Sequence, residues 1–222
     1  MALLSGKDAE KVKEILEALP ASVEVHFFTQ ELECQFCRET GAMLRELADL
    51  SEKIKIVEHD FLLDKEAVAT YGIEQVPAIV PVGPKGDLGL RVYGIPAGYE
   101  FATLLEAFKL AAGQDPELSP ETASFLAKLD QNCELEVYVT PTCPYCPGMV
   151  VNAFRLAAAS PQVTASMVEA TEFPHLAIRY QVRGVPRTVI NRGAGFIEGM
   201  VPESHLVEVL QEALRKSVSV AS

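Results

Sequence analysis

Thr140-Pro141-Thr142-Cys143-Pro144-Tyr145-Cys146-Pro147 lies between two segments of different periodicity. Before it, Leu135-Glu136-Val137-Tyr138-Val139 is an apolar run that reads as a strand; after it, residues 149–159 carry apolar side chains at helical spacing. Two cysteines three positions apart at a strand-to-helix turn close a small disulfide ring on oxidation. The first sulfur then faces the unpaired N–H groups and positive end of the helix. That environment lowers a thiol pKa and favours the reactive thiolate. The same unit occurs earlier, where Cys34-Gln35-Phe36-Cys37 follows Val23-Glu24-Val25-His26-Phe27-Phe28.

Working outward, the repeat extends well beyond the cysteines. Cys143, Cys146, Tyr180, Val185 and Pro186 each stand 109 residues after Cys34, Cys37, Tyr71, Val76 and Pro77. Each half therefore places a Val-Pro at a fixed distance from its first cysteine, the proline 43 positions on. The offset shifts where loops tolerate change. Gly94 matches Gly199 at 105, which shortens the second hairpin, and Thr29 matches Thr140 at 111, which implies two extra residues before Cys34. A period of this size means a duplicated domain, since solenoid repeats run about 20–50 residues. The boundary is expected in the Gly/Pro/polar run 112–120, giving units 1–116 and 117–222. Ser119-Pro120 there reads as an N-cap followed by Pro at the first helical position.

In the first half the pattern predicts a helix over 8–19, a strand over 23–29 and a helix from Cys34 to about 50. A strand over 53–60, a short helix over 65–71, a strand opening at Val76, a turn at 83–87, a strand over 88–93 and a helix over 101–112 follow. The second half repeats this order.

Composition narrows the function. The 222 residues hold 19 Lys+Arg against 31 Asp+Glu, a net charge of −12 that argues against nucleic-acid or anionic-membrane partners. Neither a signal-peptide core nor a membrane-length apolar run is present, so the sequence reads as soluble and cytoplasmic. Four of the five cysteines sit in the two pairs, a use of cysteine for chemistry rather than for a secreted disulfide framework. A zinc ribbon would bring two pairs within about 15–20 residues of each other, far closer than these. The four histidines show no ligand spacing, and neither metal nor cofactor is expected.

The order strand, C-x-x-C helix, strand, helix, Pro-strand hairpin, helix resembles the thioredoxin fold, an α/β unit with a mixed sheet flanked by helices. Two such units in one chain resemble the protein disulfide oxidoreductases of hyperthermophilic archaea and bacteria, with the glutaredoxin-like spacer Cys-Pro-Tyr-Cys in the second. This resemblance implies that the two sheets join into one and that Val76–Pro77 and Val185–Pro186 are cis. It further implies that both Val-Pro pairs dock substrate, with Cys34 and Cys143 as nucleophiles and Cys37 and Cys146 as resolving thiols. Protein disulfides or dithiols would be the substrates and a thioredoxin-reductase-like protein the electron donor. Many thioredoxins also carry a buried acid six residues before the first cysteine. That position is Val137 in the second half and, corrected for the longer loop, His26 in the first.

The motifs leave two other readings open: dedicated electron relay to a partner such as a peroxiredoxin, and a peptide-binding module whose thiols are incidental. A glutathione site is disfavoured, because Gly184-Val185-Pro186 and Gly199-Met200-Val201-Pro202-Glu203 depart from the glutaredoxin pattern. Arg38 and Arg187 are candidate cations beside the two pairs. Cys133 reads as a free or partly buried thiol at the junction.

Overall fold

The computed structural model describes residues 6–220, with side chains as far as Arg215. The first half contains α1 (Gly6–Glu17), β1 (Val23–Thr29), α2 (Cys37–Leu50), β2 (Ile54–Asp60) and α3 (Lys65–Tyr71). It continues with β3 (Ala78–Gly83), the two-residue β4 (Gly86–Asp87), β5 (Leu90–Tyr93) and α4 (Glu100–Ala111). The second half contains α5 (Pro120–Leu126), β6 (Cys133–Val139), α6 (Cys146–Ala159), β7 (Val163–Glu169) and α7 (Pro174–Arg179). It ends with β8 (Arg187–Ile190), a 3-10 turn (Asn191–Gly193), β9 (Gly195–Glu198) and α8 (Glu203–Val220). Each half thus opens with a helix ahead of its first strand, as the repeat requires.

Local chemistry accounts for the boundaries. Ser119 caps α5, its Oγ accepting the Thr122 N–H, with Pro120 at the first helical position. Gly72 ends α3 in the left-handed conformation (φ 61°), which satisfies a carbonyl of the last turn. Val12 and Leu16 give α1 its buried stripe.

Among the described residues the strands form one nine-stranded sheet in the order β2-β1-β3-β5-β7-β6-β8-β9, with β4 beside β3. The seam between the halves is the parallel pairing of β5 with β7, Leu90 opposite Ala165 through Tyr93 opposite Val168. β1 is parallel to β2 and antiparallel to β3, β3 is antiparallel to β5, and β7 is parallel to β6. β1 and β6 therefore run the same way, and the turns that follow them emerge at the same edge of the sheet. Four strand steps separate them, roughly 19 Å at the usual spacing.

Apolar side chains fill both faces. On one face Val25, Phe27, Leu44, Leu104, Phe108, Val137, Phe154 and Leu210 belong to the larger core under α1, α2, α4, α6 and α8. On the other, Phe28, Val80, Tyr93, Tyr138, Val168 and Val189 form the core under α3 and α7. No described helix is long and apolar enough to cross a membrane.

Candidate active site

The strand-to-helix turns hold the two cysteine pairs, each closed as a disulfide with Cα atoms 5.5 Å apart, inside the usual range for such bonds. The helices begin at the second cysteine of each pair, α2 at Cys37 and α6 at Cys146. The expectation of a helix opening at Cys34 is therefore corrected. Glu33 is left-handed (φ 58°) and Phe36 has a non-helical backbone, so helical hydrogen bonding starts with the Thr40 N–H to Phe36 O at 2.9 Å. The first sulfur of each pair sits just ahead of the helix, beside its unpaired N–H groups. Cys34 is half-buried against 4% exposure for Cys37; Cys143 is 7% exposed against 0% for Cys146.

Both Val-Pro bonds are cis, and each valine stands beside its own pair. The Val185 carbonyl oxygen lies 3.7 Å from Cys143 Sγ. Val76 lines one cleft with Cys34. A second cleft at the first pair is lined by Phe27, Thr29, Cys34, Cys37 and Arg38, with Arg38 exposed.

Two sequence expectations change because side chains alternate across a strand. Val23 pairs with Ile54 in the first half and Cys133 with Val163 in the second, so β1 and β6 are offset by 110 residues and β2 and β7 by 109. The loop before Cys34 is one residue longer, not two, and the counterpart of Val137 is Phe27 rather than His26. Phe27 lies opposite Ile79, as Val137 lies opposite Thr188, and both face the helices that carry the cysteines. His26 faces away, with its ring nitrogens on His59 Nε2 (2.9 Å) and the Tyr71 hydroxyl (3.0 Å). Burial holds its pKa below the usual value, and the neighbouring His59 acts in the same direction. Arg187 likewise pairs across from Tyr138 on the face opposite α6. It binds the Glu198 carboxylate and stacks over Phe196 at 4.7 Å, so its charge is spent there and not at Cys143.

Cys133 is the first residue of β6, 2% exposed and unpaired, and burial pushes its thiol up to about 12. It is an inert core residue at neutral pH.

Sequence reasoning missed two carboxyls whose pKa burial raises, Glu100 and Glu172. Glu100 opens α4 and is wholly buried; one oxygen accepts the Thr103 hydroxyl at 2.7 Å and the other has no partner. Burial pushes it up to about 7. The preceding residue, Tyr99, donates its N–H to Pro141 O (3.1 Å) in the loop ahead of Cys143, which ties the start of α4 to the second pair. Glu172, after β7, accepts the Ile95 N–H at 2.6 Å and is also raised to about 7, by burial. Glu100 falls in an ordinary helix-opening position, where an acid is expected on the surface; the Gly98-Tyr99 approach to Pro141 that buries it is tertiary.

The strands leading into the two pairs lie four steps apart in the sheet, roughly 19 Å at the usual spacing, well beyond the Cα separation of about 7 Å that a disulfide between the pairs would need. Among the described residues no group of three or more His, Cys, Asp or Glu is arranged to hold a metal.

Comparison with known proteins agrees with this geometry. Residues 133–212 match a family model described as a thioredoxin domain. Among curated relatives, the alkyl hydroperoxide reductase component AhpF of Staphylococcus aureus (strain NCTC 8325 / PS 47) is 23% identical over 171 residues, 77% of this chain and 31% of the relative. The same component from Xanthomonas campestris pv. phaseoli is 25% identical over 197 residues, 87% of this chain and 36% of the relative. The chain thus spans about a third of the length of the curated relatives it matches. Among solved structures, a protein disulfide oxidoreductase from Aeropyrum pernix K1 superposes with a TM-score of 0.86 at 27% identity, covering 96% of this chain and 95% of that one. AhpF of Enterococcus faecalis (V583) gives 0.85 at 26%, covering 94% and 100%. Two closed cysteine pairs, a cis proline beside each and this likeness along nearly the whole chain lead to one conclusion: the chain is built of thioredoxin-like units in tandem, similar to the protein disulfide oxidoreductase of Aeropyrum pernix.

Proposed function

We propose that the chain exchanges dithiols for disulfides in other proteins through two centres, Cys34/Cys37 and Cys143/Cys146, one in each of the units 1–116 and 117–222. The observation that carries this reading is the placement of each pair at a helix start beside its own valine, Cys143 Sγ at 3.7 Å from Val185 O and Cys34 in one cleft with Val76. In the reducing direction the Cys34 or Cys143 thiolate attacks a substrate disulfide; that S–S bond breaks, one substrate thiolate leaves and a mixed disulfide forms. Cys37 or Cys146 then displaces the second substrate thiolate. The centre is left oxidised, two electrons have passed to the substrate, and the two released thiolates take up the two protons that the cysteines gave up. Val76, Pro77, Val185 and Pro186 supply backbone against which an extended substrate segment lies as an added strand. The setting is the cytoplasm, where reduced thiols are maintained, and a thioredoxin-reductase-like protein is the natural electron donor.

Insulin reduction driven by dithiothreitol tests the reading: the native protein accelerates it, and a variant with all four active cysteines replaced by serine does not. Equal acceleration by that variant overturns the proposal. The likeness to the alkyl hydroperoxide reductase component AhpF supports a second reading, delivery of electrons to a peroxide-reducing partner. Rapid reduction of an oxidised peroxiredoxin with little turnover of insulin would favour it.

A further inference from the structure

The cleft above Cys34 is built by both halves of the chain. Glu33 lies on the loop before α2, Glu74 and Val76 on the loop before β3, and Glu172, Phe173 and His175 on the segment after β7. This last wall exists because β5 pairs with β7, which brings the end of β7 alongside the first half's Val-Pro turn. Glu172 is held firmly in it. Its Oε1 accepts the Ile95 N–H and its own N–H donates to Glu169 Oε2 at 2.7 Å. Gly94 (φ 89°) approaches so closely that a Cβ there would meet Glu172 Oε1 at 2.8 Å. At Cys143 the sheet continues only through β8 and β9 and then ends, so no corresponding wall stands on that side among the described residues.

Charge differs as well at positions matched by the repeat. Glu74 before the first Val-Pro corresponds to Arg183 before the second, and Glu33 before Cys34 to Thr142 before Cys143. Glu74 is partly neutralised by Arg192 at 2.8 Å. Glu33 and Glu172 meet no Lys or Arg among the described residues, and His175 is the one basic side chain lining the cleft.

We propose that the two centres differ in substrate polarity: the Cys34 centre selects disulfides carried on cationic segments, with Lys or Arg side chains set against Glu33 and Glu172, and the Cys143 centre lacks that selection. The inference rests on the reading of Cys34 as a nucleophile. The thiol chemistry is the same at both centres; what differs is the docking of the segment that brings the disulfide.

The net charge of −12 attracts any cationic peptide to either centre, so each centre is compared with the other in the same protein. Two disulfide peptides identical except for Lys or Glu flanks are mixed with pre-reduced Cys143→Ser/Cys146→Ser protein, which retains the first centre, and with pre-reduced Cys34→Ser/Cys37→Ser protein, which retains the second. Single-turnover thiol release is measured at about pH 8, where Glu172, raised to about 7 by burial, is ionised, and is read after acid quenching. The first-centre protein should favour the Lys peptide about tenfold more than the second-centre protein does, the size expected of two partly exposed carboxylates that attract one peptide and repel the other. The difference should shrink to less than about twofold at 1 M salt, where the Debye length is about 3 Å. Adding Glu33→Gln/Glu172→Gln to the first-centre protein, which keeps an acceptor for the Ile95 N–H, should abolish most of the preference by slowing reduction of the Lys peptide and speeding that of the Glu peptide. Equal preferences at the two centres, or a first-centre preference untouched by the double glutamine change, overturn the inference while leaving the oxidoreductase reading intact. If neither single-centre protein reduces either peptide while dithiothreitol reduces both, the oxidoreductase reading fails and takes this inference with it.

Discussion

Glu100→Gln should make the protein more stable at alkaline pH and leave it unchanged in acid. Glu100 is wholly buried, with one carboxyl oxygen on Thr103 and the other without a partner, and burial raises its pKa from 4.5 to about 7. A carboxyl with a raised folded pKa is neutral in both states below pH 4.5 and costs nothing there. As pH rises past 4.5 the unfolded chain ionises first, so folding binds a proton and stability falls. The loss is nearly complete once pH passes about 7, and at 1.36 kcal/mol per pH unit it amounts to about 3 kcal/mol. Glutamine keeps the acceptor for Thr103 and cannot ionise, so it removes this slope. Glu136 and Glu172 are also raised to about 7, but both proteins share them and they cancel in the difference. Urea unfolding of the two oxidised proteins at about pH 4.5, 6 and 8.5 gives the result directly. The variant's advantage should grow from near zero to about 3 kcal/mol, most of it gained below about pH 7. A constant difference across the three pH values would refute the argument, because a simple packing change does not titrate.

Other outcomes follow from the sites themselves. With the protein reduced, limiting alkylating reagent near neutral pH should label Cys34 and Cys143 before Cys37 and Cys146, and Cys34 first of all, since it is the most exposed of the four; mass spectrometry of tryptic peptides reads the order. In insulin reduction, Cys34→Ser/Cys37→Ser should retain more activity than Cys143→Ser/Cys146→Ser, because Pro144 fixes the second loop where the first has Gln35; the reverse ranking makes the first centre dominant. Gly94→Ala should cost about 2–4 kcal/mol in urea unfolding, since it forces a side chain into positive φ and against Glu169 Cβ at 2.7 Å.

Much of the architecture can be read from local pattern alone. The strand at Val23–Thr29 and the helix at Lys65–Tyr71 fall where alternation and helical spacing put them, and a repeat that preserves Cys, Tyr and Val-Pro at one offset leaves little freedom for the second half. The failures come from quantities that local pattern does not carry. Matching Thr29 to Thr140 is one residue out, and in a strand one residue is the difference between the two faces; that slip puts His26 under the cysteines when Phe27 lies there. Arg187 follows Pro186 in sequence and so reads as a neighbour of Cys143, although adjacent strand residues point apart. Glu100 looks like a surface acid until α4 is set against the loop before Cys143. The composite wall of Glu172, Phe173 and His175 depends on which strands of different halves meet, and no single-half periodicity encodes that.

The seam at β5 and β7 also sets how the two centres face the solvent. Twist accumulates at about 20–25° per strand step, so the four steps from β1 to β6 turn the second strand through roughly 80–100° relative to the first. The pairing that joins the halves into one sheet therefore also keeps their two cysteine-bearing turns four strands apart and tilted against each other.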